Sequence, residues 1–558
     1  MLITWRVNKS NPRRAVRSNK TKRGMAINPW VVGVIPFFIC FWAELRYTVN
    51  MPYWDDYDSV LNWLWDFLHS TSFSKRLSLL LRQHNEHRIV FDRIIELFEF
   101  HCLGAVNFIY LDLFGFIGLL SLVFLLVVLG KRSGLSGWAL VPIPFFMLSL
   151  SQHGLIAFAM ASIQVYWALV FSFLSFLFAT KTFNYEYLLI AFLFGVIASF
   201  TSAGGLIGLP VVFLYYLANR RYQLSVLWFF LAVPVFIVYF ILLRYQQTAI
   251  GIASHDYAYA HPVHYARYVL MFLGNMARTW RGALATGIVL VLLSAYFIVK
   301  NVIPVKSALF VAIIFVAATA AADGLSRISL GMGVALSSRY TPFSAILISV
   351  NYIGIVSSIR RECRTKWATF GGIAFSIGVY SWWLWLGIPY LSAKKLMLEN
   401  QLVYPSQSRA ASILDTAMNG GLFMPISRIY RNLPTSLPLN SLCRYRKGYF
   451  GNIDSLTKSG NTVHVAGWAA IKRRGVPAAT VIIDINGNDY PSMYGMRRPD
   501  VVARFGNPKY LYTGYQSSIA IPHGARGVCH VSVVVIGVDR NRLYRSPEKI
   551  IACGAGGS

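Results

Sequence analysis

Acidic residues are scarce in this chain: 22 Asp and Glu stand against 52 Lys and Arg in 558 residues. Charge of either sign is thin, at 13% of the sequence against 56% hydrophobic residues. So little charge argues against an ordinary soluble enzyme and for lipid as the solvent of most of the chain. Cysteine is also sparse: Cys40, Cys102, Cys363, Cys443, Cys529 and Cys553 are scattered. No CxxC pair occurs, so no zinc site of that type is indicated. The last three leave room for one disulfide in the C-terminal region, with the pairing open. No Walker A, GxGxxG, HExxH or GxSxG motif carries weight. Without a cytoplasmic catalytic domain, nucleotide-driven transport is disfavoured.

What the chain does have is long apolar runs alternating with clusters of Lys and Arg. Runs near 18 residues can cross a hydrocarbon layer about 30 Å thick. The expected fold is a polytopic α-helical membrane protein with about 11 transmembrane helices. The spans are expected near Trp30–Leu45, Asn107–Leu129, Trp138–Leu150, Ile163–Phe178, Tyr187–Phe200, Leu206–Leu217, Val226–Leu243, Ala283–Val299, Ala308–Ala322, Thr341–Val356 and Phe370–Ile388. The net charge of +30 would suggest nucleic acid in a soluble protein. Here positive residues in short cytoplasmic loops explain it, and no nucleic-acid partner is expected. Residues 1–28 form a basic cytoplasmic segment. No small-x-small site follows the first run, so it is expected to remain as an uncleaved span.

An odd number of spans with the N-terminus inside puts residues 46–105 and 390–558 outside. Within the outer loop 46–105, Val60, Leu61, Leu64, Trp65 and Leu68 form one apolar helix face, with Asp58, Asn62, Asp66 and His69 turned away. Val90, Phe91, Ile94, Ile95 and Phe98 repeat the pattern, against Arg88, Asp92, Arg93, Glu96 and Glu99. Both stretches predict interfacial helices. The region 29–390 is read as the membrane domain and 391–448 as a connector. From about Tyr449 the period becomes two, as in Val531, Val533 and Val535, and Asn486-Gly487 signals a hairpin. Residues 449–558 therefore predict an extracytoplasmic β-sandwich.

Three polar segments stand out in the outer loops. Asp55 and Asp56, within Trp54-Asp55-Asp56-Tyr57-Asp58, suit a general base for a hydroxyl or a metal ligand. Helix capping by Asp56 or Asp58 is the plainer account. His84, Asn85, Glu86, His87 and Arg88 crowd three ionisation types into five positions, fit to bind a sugar, phosphate or metal, or simply to open a helix. Arg327 and Arg339, with Tyr340, lie at membrane level on the side where positive charge does not help orientation. Bidentate phosphate contact fits them, as does snorkelling or pairing of Arg327 with Asp323. Gln152 and His153 flank an outer turn and could line a cavity. Residues Thr201 to Gly205 suggest close packing or an unwound segment. His255, Asp256, His261 and His264 read as solvated groups on a mobile loop. No metal ligand set is assigned; a divalent cation is compatible with the acids.

The layout resembles the GT-C superfamily of membrane glycosyltransferases. A carboxylate follows the first span, where Asp55 and Asp56 stand here. The segment Arg327-x3-Gly331-x-Gly333…Ser338-Arg339-Tyr340 is similar to one in bacterial members. So is the HNEHR segment, and the terminal module with Gly467-Trp468-Ala469 and Arg498-Pro499-Asp500-Val501 resembles appended domains. The resemblance implies sugar transfer from a polyprenyl-phosphate donor to a glycan or lipid-linked acceptor, at the outer face of a bacterial inner membrane. Asp55 or Asp56 would be the base. Arg327, Arg339 and Arg88 would meet the departing phosphate. An O-antigen ligase or polymerase, a non-catalytic glycan-binding membrane protein, and a transporter are the alternatives.

Overall fold

The first apolar run becomes a helix where its ends demand one. Asn28 Oδ1 accepts from the Trp30 N–H at 3.0 Å, and Pro29 occupies the first helical position of Pro29–Tyr47. Asn107 caps Phe108–Arg132 in the same way, and that helix closes on Lys131 and Arg132, which complement its C-terminal dipole. The computed structural model describes residues 28–181, 184–359, 361–400, 407–424, 445–446, 450–471, 476–478, 480–496, 498–507, 510, 513–520, 527–536 and 543–552. The basic segment, Cys443 and Cys553 lie outside the described residues, apart from Asn28.

Among the described residues, eight helices are long and apolar enough to cross a membrane: Pro29–Tyr47, Phe108–Arg132, Ala159–Ala179, Tyr222–Leu242, Trp280–Val299, Ala308–Leu330, Ser338–Ser358 and Glu362–Ser392. The other three expected spans are shorter, at Gly137–Gln152, Tyr185–Ser199 and Ala203–Ala218. Helix breakers explain the shortening. Pro142 and Pro144 interrupt the first of these, and the Thr201–Gly205 stretch separates the other two. The last long helix continues to Asn400, beyond the end expected from its apolar run, and carries Lys394 with it.

Residues 46–105 fold onto the bundle. Val60, Leu61 and Leu64 are fully buried, with Trp63. They pack with Ala410, Ile413, Leu414 and Ala417 of the connector helix Gln407–Asn419. Val106 N–H donates to Leu422 O at 2.8 Å, tying the connector beside the second long helix. The connector is thus integral to this core.

The helix Val90–Leu103 corrects the expected orientation. The sequence pattern turns Asp92, Arg93, Glu96 and Glu99 toward solvent, yet all four are buried, while Ile94, Phe98 and Leu103 are exposed. The helix is amphipathic as expected, but its polar face meets protein. An interfacial helix presents apolar residues to acyl chains, which inverts the usual pattern. The stretch carrying His255, Asp256, His261 and His264, expected as a mobile loop, instead forms the helices Ala249–Ala260 and Pro262–Leu273. Ser254 and Ser329 hydroxyls meet at 2.7 Å, fixing the first of these to the 323–330 region.

Strands replace helices after the connector, and they assemble into a pair of sheets. One orders Tyr445–Arg446, Leu543–Arg545, Val528–Ile536, Thr480–Ile485 and Asn488–Pro491, with Lys549–Ala552 also on Val528–Ile536. The other orders Phe450–Ser459, Thr462–Ile471, Gly514–Ala520 and Met493–Met496, with Val476–Pro477 also on Thr462–Ile471. Asn486 and Gly487 both have positive φ, as the tight hairpin between Thr480–Ile485 and Asn488–Pro491 requires. Val463, Val465, Val481, Ile483, Val531, Val533 and Val535, drawn from both sheets, share one apolar cluster. Cys529 is disulfide-bonded, whereas Cys40, Cys102 and Cys363 are free.

Neither carboxylate of Asp92 or Glu96 has a hydrogen-bond partner among the described residues. Burial pushes both well up, and raises Glu99 to about 8. The fold therefore holds protons that the unfolded chain releases near the ordinary carboxylate range. Their contribution is full below that range and is lost as pH rises toward the folded values. Heat stability in detergent should fall between pH 5 and pH 8, and Glu96→Gln should flatten that fall. A Glu96→Gln protein less stable than the parent at pH 8 would contradict this assignment.

Candidate functional site

A backbone constraint positions the first acidic group. Trp54 sits at φ 49°, a region costly for a bulky residue, and the chain then enters a π-helical turn, Tyr57–Asn62. Asp55 is at the turn's mouth. Its carbonyl accepts from the Ser59 N–H at 2.8 Å and the Ser59 hydroxyl at 2.7 Å. Its carboxylate is half-buried and has no hydrogen-bond partner among the described residues.

Asp56 has a different role. It is 1% exposed, and its two oxygens accept from the Tyr53 and Met160 N–H groups, each at 3.0 Å. Burial raises it to about 7 against those two hydrogen bonds. Asp56 is closed off from solvent, and each of its oxygens already accepts a backbone N–H. Asp56 makes no side-chain helix cap. Asp58 pairs with Arg409 of the connector helix at 2.6 Å. The two adjacent aspartates thus separate into one that builds the loop and one that faces the site.

The HNEHR segment is a tight turn rather than the start of a helix. His84 N–H donates to His87 O at 2.8 Å, His87 N–H returns to His84 O at 2.9 Å, and Asn85 takes φ 49°. Asn tolerates that left-handed position. Burial lowers the His84 ring, and the charges of Asp55 and Asp58 act on it in the opposite sense. The acidic loop thus lies within electrostatic range of the turn. His87 accepts at Nδ1 from the Ala203 N–H at 3.2 Å, which leaves the neutral ring its proton on Nε2. Burial, then the Arg327 charge, lowers His87 to about 3, so it is neutral at pH 7. The Thr201–Gly205 stretch is thus both a helix break and a support for His87.

Arg88 requires a correction. It is 1% exposed and donates to three backbone carbonyls: Leu81 at 2.7 Å, Leu243 at 2.8 Å and Tyr239 at 3.2 Å. It clamps two segments together and does not present its guanidinium to the acidic loop. Arg327 likewise differs from the free anion receptor expected. It pairs with Glu86 at 3.1 Å and with Asp323 at 3.4 Å. Burial raises the Glu86 carboxyl, but Arg327 and the Thr248 hydroxyl, at 2.8 Å, bring it below its ordinary value. Tyr268 O–H completes the cluster by donating to Asp323 at 2.8 Å.

Arg339 keeps donor capacity. One Nη2 hydrogen goes to the Tyr340 hydroxyl at 3.1 Å, while its buried Nε has no partner among the described residues. Its charge acts on His87. Tyr340 is buried against Phe272, so its ring is a wall of the site. The turn Gln152–Gly154 approaches the same segment: a Cβ on Gly154 would lie 2.2 Å from Ser338 Oγ. Gln152 is buried and donates to Met147 O at 2.6 Å. His153 stacks on Tyr390 at 4.7 Å, and burial lowers it to about 3.

Two cations carry no signal in the sequence. Lys394 reaches back from beyond the last span and donates to Ile156 O at 2.7 Å and Gly154 O at 3.2 Å. Its ammonium lies 4.1 Å from the Tyr53 ring, and burial lowers it to about 8. Arg278, at φ 63°, hydrogen-bonds Tyr390 and leaves Nη1 buried without a partner among the described residues. Both are long-range contacts between residues over 100 positions apart. A lone basic residue beside an apolar run does not announce them.

The His255–His264 stretch stays peripheral. Its Tyr257 hydroxyl lies 3.0 Å from His264 Nδ1, on an exposed face. Among the described residues, no group of three or more His, Cys, Asp or Glu is placed to hold a metal ion. In the C-terminal region Trp468 is buried among Phe450, Phe505 and Tyr510, and Tyr515 donates to Asn452 O at 3.1 Å. Neither presents an open ring face. Arg498 joins Asp500 and Asp454 across that domain.

Removing Arg327 leaves two largely buried carboxylates without their cation, a change that costs about 3–5 kcal/mol in such pairs. Arg327→Ala should therefore lower the thermal midpoint strongly, and Arg327→Lys should recover some of it. An Arg327→Ala protein as stable as the parent would show that the pairs contribute nothing. Compared with known proteins, the chain matches no family model, no curated protein and no solved structure.

Proposed function

We propose that the protein is a membrane glycosyltransferase that moves a sugar from a polyprenyl-phosphate donor to a glycan or lipid-linked acceptor. One observation carries the reading. A partner-free carboxylate, Asp55, stands beside a chain of polar groups running through His84, His87 and Glu86 to Arg327 and Arg339. A base at one end and an arginine with a spare N–H at the other suit displacement at an anomeric carbon. Asp55 takes the proton of the acceptor hydroxyl. The acceptor oxygen forms a bond to the anomeric carbon as the carbon–oxygen bond to phosphate breaks. That electron pair leaves on the phosphate oxygen, whose growing charge Arg339 stabilises. Neutral His87 offers Nε2–H to a substrate oxygen. Glu86 and Arg327 hold the turn in place. The anomeric configuration inverts, and no nucleotide is consumed.

The helices support a site on the outer face of a bacterial inner membrane. Lys131, Arg132, Lys181 and Lys300 lie at the helix ends remote from Asp55, Arg278 and Arg339. We read the eight long helices and the three shorter apolar segments as eleven crossings, with the two sheets as a sandwich outside. The bonded Cys529 fits an oxidising compartment. The alternative of a transporter is less favoured, because the polar groups gather at one end of the helices rather than at mid-depth.

The two aspartates give the first test. Asp55→Asn should abolish transfer from a polyprenyl-phosphate-linked sugar while leaving the thermal midpoint near that of the parent. Asp56→Ala should instead destabilise, since two buried N–H groups lose their acceptor at about 1–3 kcal/mol each. Full activity in Asp55→Asn would refute the assigned base.

Topology has its own test in thiol labelling. Cys363 is exposed, as is Ser459 in the strand region, on opposite sides in this reading. A membrane-impermeant maleimide should label a Ser459→Cys variant in intact spheroplasts at the new thiol, and Cys363 only after permeabilisation. Labelling of both from one side would overturn the proposed orientation.

A further inference from the structure

A cavity of about 770 Å³ lies between the helix Phe73–Leu81 and residues 242–248. Its lining includes Ser74, Ser78, Asn85, Arg244 and Gln247, with Leu77 and Leu242 at the edge. The catalytic groups named above leave it without a role. We propose that this cavity is the acceptor site, and that it takes the headgroup of an anionic, lipid-linked saccharide. The inference rests on the glycosyltransferase reading for the word acceptor; the ligand chemistry stands on the lining itself.

Three features specify that chemistry. First, the lining holds three arginines and no carboxylate. Arg88 is committed to carbonyls, and Arg82 makes an exposed pair with Asp66 at 3.3 Å, which is weak and readily opened. Arg244 is exposed at φ 50° and has no partner among the described residues. An anionic group is what this set lacks. Second, the remaining polar groups are amides and hydroxyls, which both donate and accept, as sugar hydroxyls require. Gln83 already bridges the walls, donating to Gln246 O at 2.6 Å and accepting from Gln246 N–H at 2.9 Å. Gln247 and the Ser74 and Ser78 hydroxyls remain. Third, the rim is greasy. Phe73, Leu77, Ile241 and Leu242 are all exposed beside the opening, at 80%, 44%, 68% and 66%. Exposed apolar groups around a polar cavity suit a headgroup delivered on acyl or prenyl chains.

The cavity also meets the site at Asn85 and Thr248. Asn85 lines it, and the Asn85 amide nitrogen lies 3.3 Å from His84 Nε2. The Thr248–Glu86 hydrogen bond closes the wall beyond Asn85. A saccharide held in the cavity would therefore end next to His84, the ring on which the Asp55 charge acts.

The test is equilibrium binding of the purified full chain in detergent to three probes. These are a monophosphorylated diglucosamine lipid, phosphatidylglycerol and a neutral monoglucosyl diacylglycerol. The phosphorylated saccharide lipid should bind about tenfold tighter than either of the others. Arg244→Glu and the cavity-filling Ser78→Trp should each weaken it about tenfold, with unchanged thermal midpoints as the control for folding. Phosphatidylglycerol binding as tightly as the saccharide lipid would overturn the saccharide assignment. Unchanged affinity in both folded variants would overturn the site. Selective binding lost in both variants, from a parent chain that transfers no sugar, would support the cavity and contradict the glycosyltransferase reading instead.

Discussion

Arg327 stands between two carboxylates from different stretches of the chain, and the geometry of the site depends on that contact. Asp323 lies one turn earlier on the same helix, while Glu86 belongs to a loop 241 residues away. The pair with Glu86 pins the His84–His87 turn over the end of a long helix. Once the turn is pinned, Ala203 can donate to His87, Thr248 can reach Glu86, and Arg88 can gather the carbonyls of two segments. Low exposure makes these contacts strong and also makes each of them costly to break. The polar chain is therefore a preorganised structure, in which the donors and acceptors are aimed before any ligand arrives.

Residues 46–105 obey the same logic with the solvent reversed. Their helix Val90–Leu103 turns carboxylates inward and leaves Ile94 and Phe98 exposed. Water would reject that arrangement; a lipid interface favours it, because acyl chains cover the apolar face. The buried acids then keep their protons, which lets them pack without a counter-charge for each. Lys394, over the Tyr53 ring, and Arg409, paired with Asp58, both reach this loop, so residues beyond Ser392 close the acidic turn.

Much of this is legible in the residues. The longest apolar runs, the Asn486-Gly487 hairpin and the alternating valines each carry a local signal, and each forms the expected helix or strand. The helix over Val90–Leu103 is legible as amphipathic, but its orientation is not, because a period says which residues share a face and not which solvent that face meets. Asp55 and Asp56 are equal candidates in the sequence; only the N–H groups of Tyr53 and Met160 distinguish them. Arg88 and Arg327 look like anion receptors because arginine type carries no record of its partners. Lys394 and Arg278 are illegible for a related reason: their roles come from contacts between distant segments.

Sugar transfer is a chemical event, so product analysis tests it most directly. Purified protein in liposomes would be supplied with a polyprenyl-phosphate-linked sugar and a saccharide lipid acceptor. Free polyprenyl phosphate should be released in step with formation of the new glycosidic bond, and NMR should show an inverted anomeric configuration. Transfer with retained configuration, or no release of lipid phosphate from any such donor, would contradict the proposed reaction.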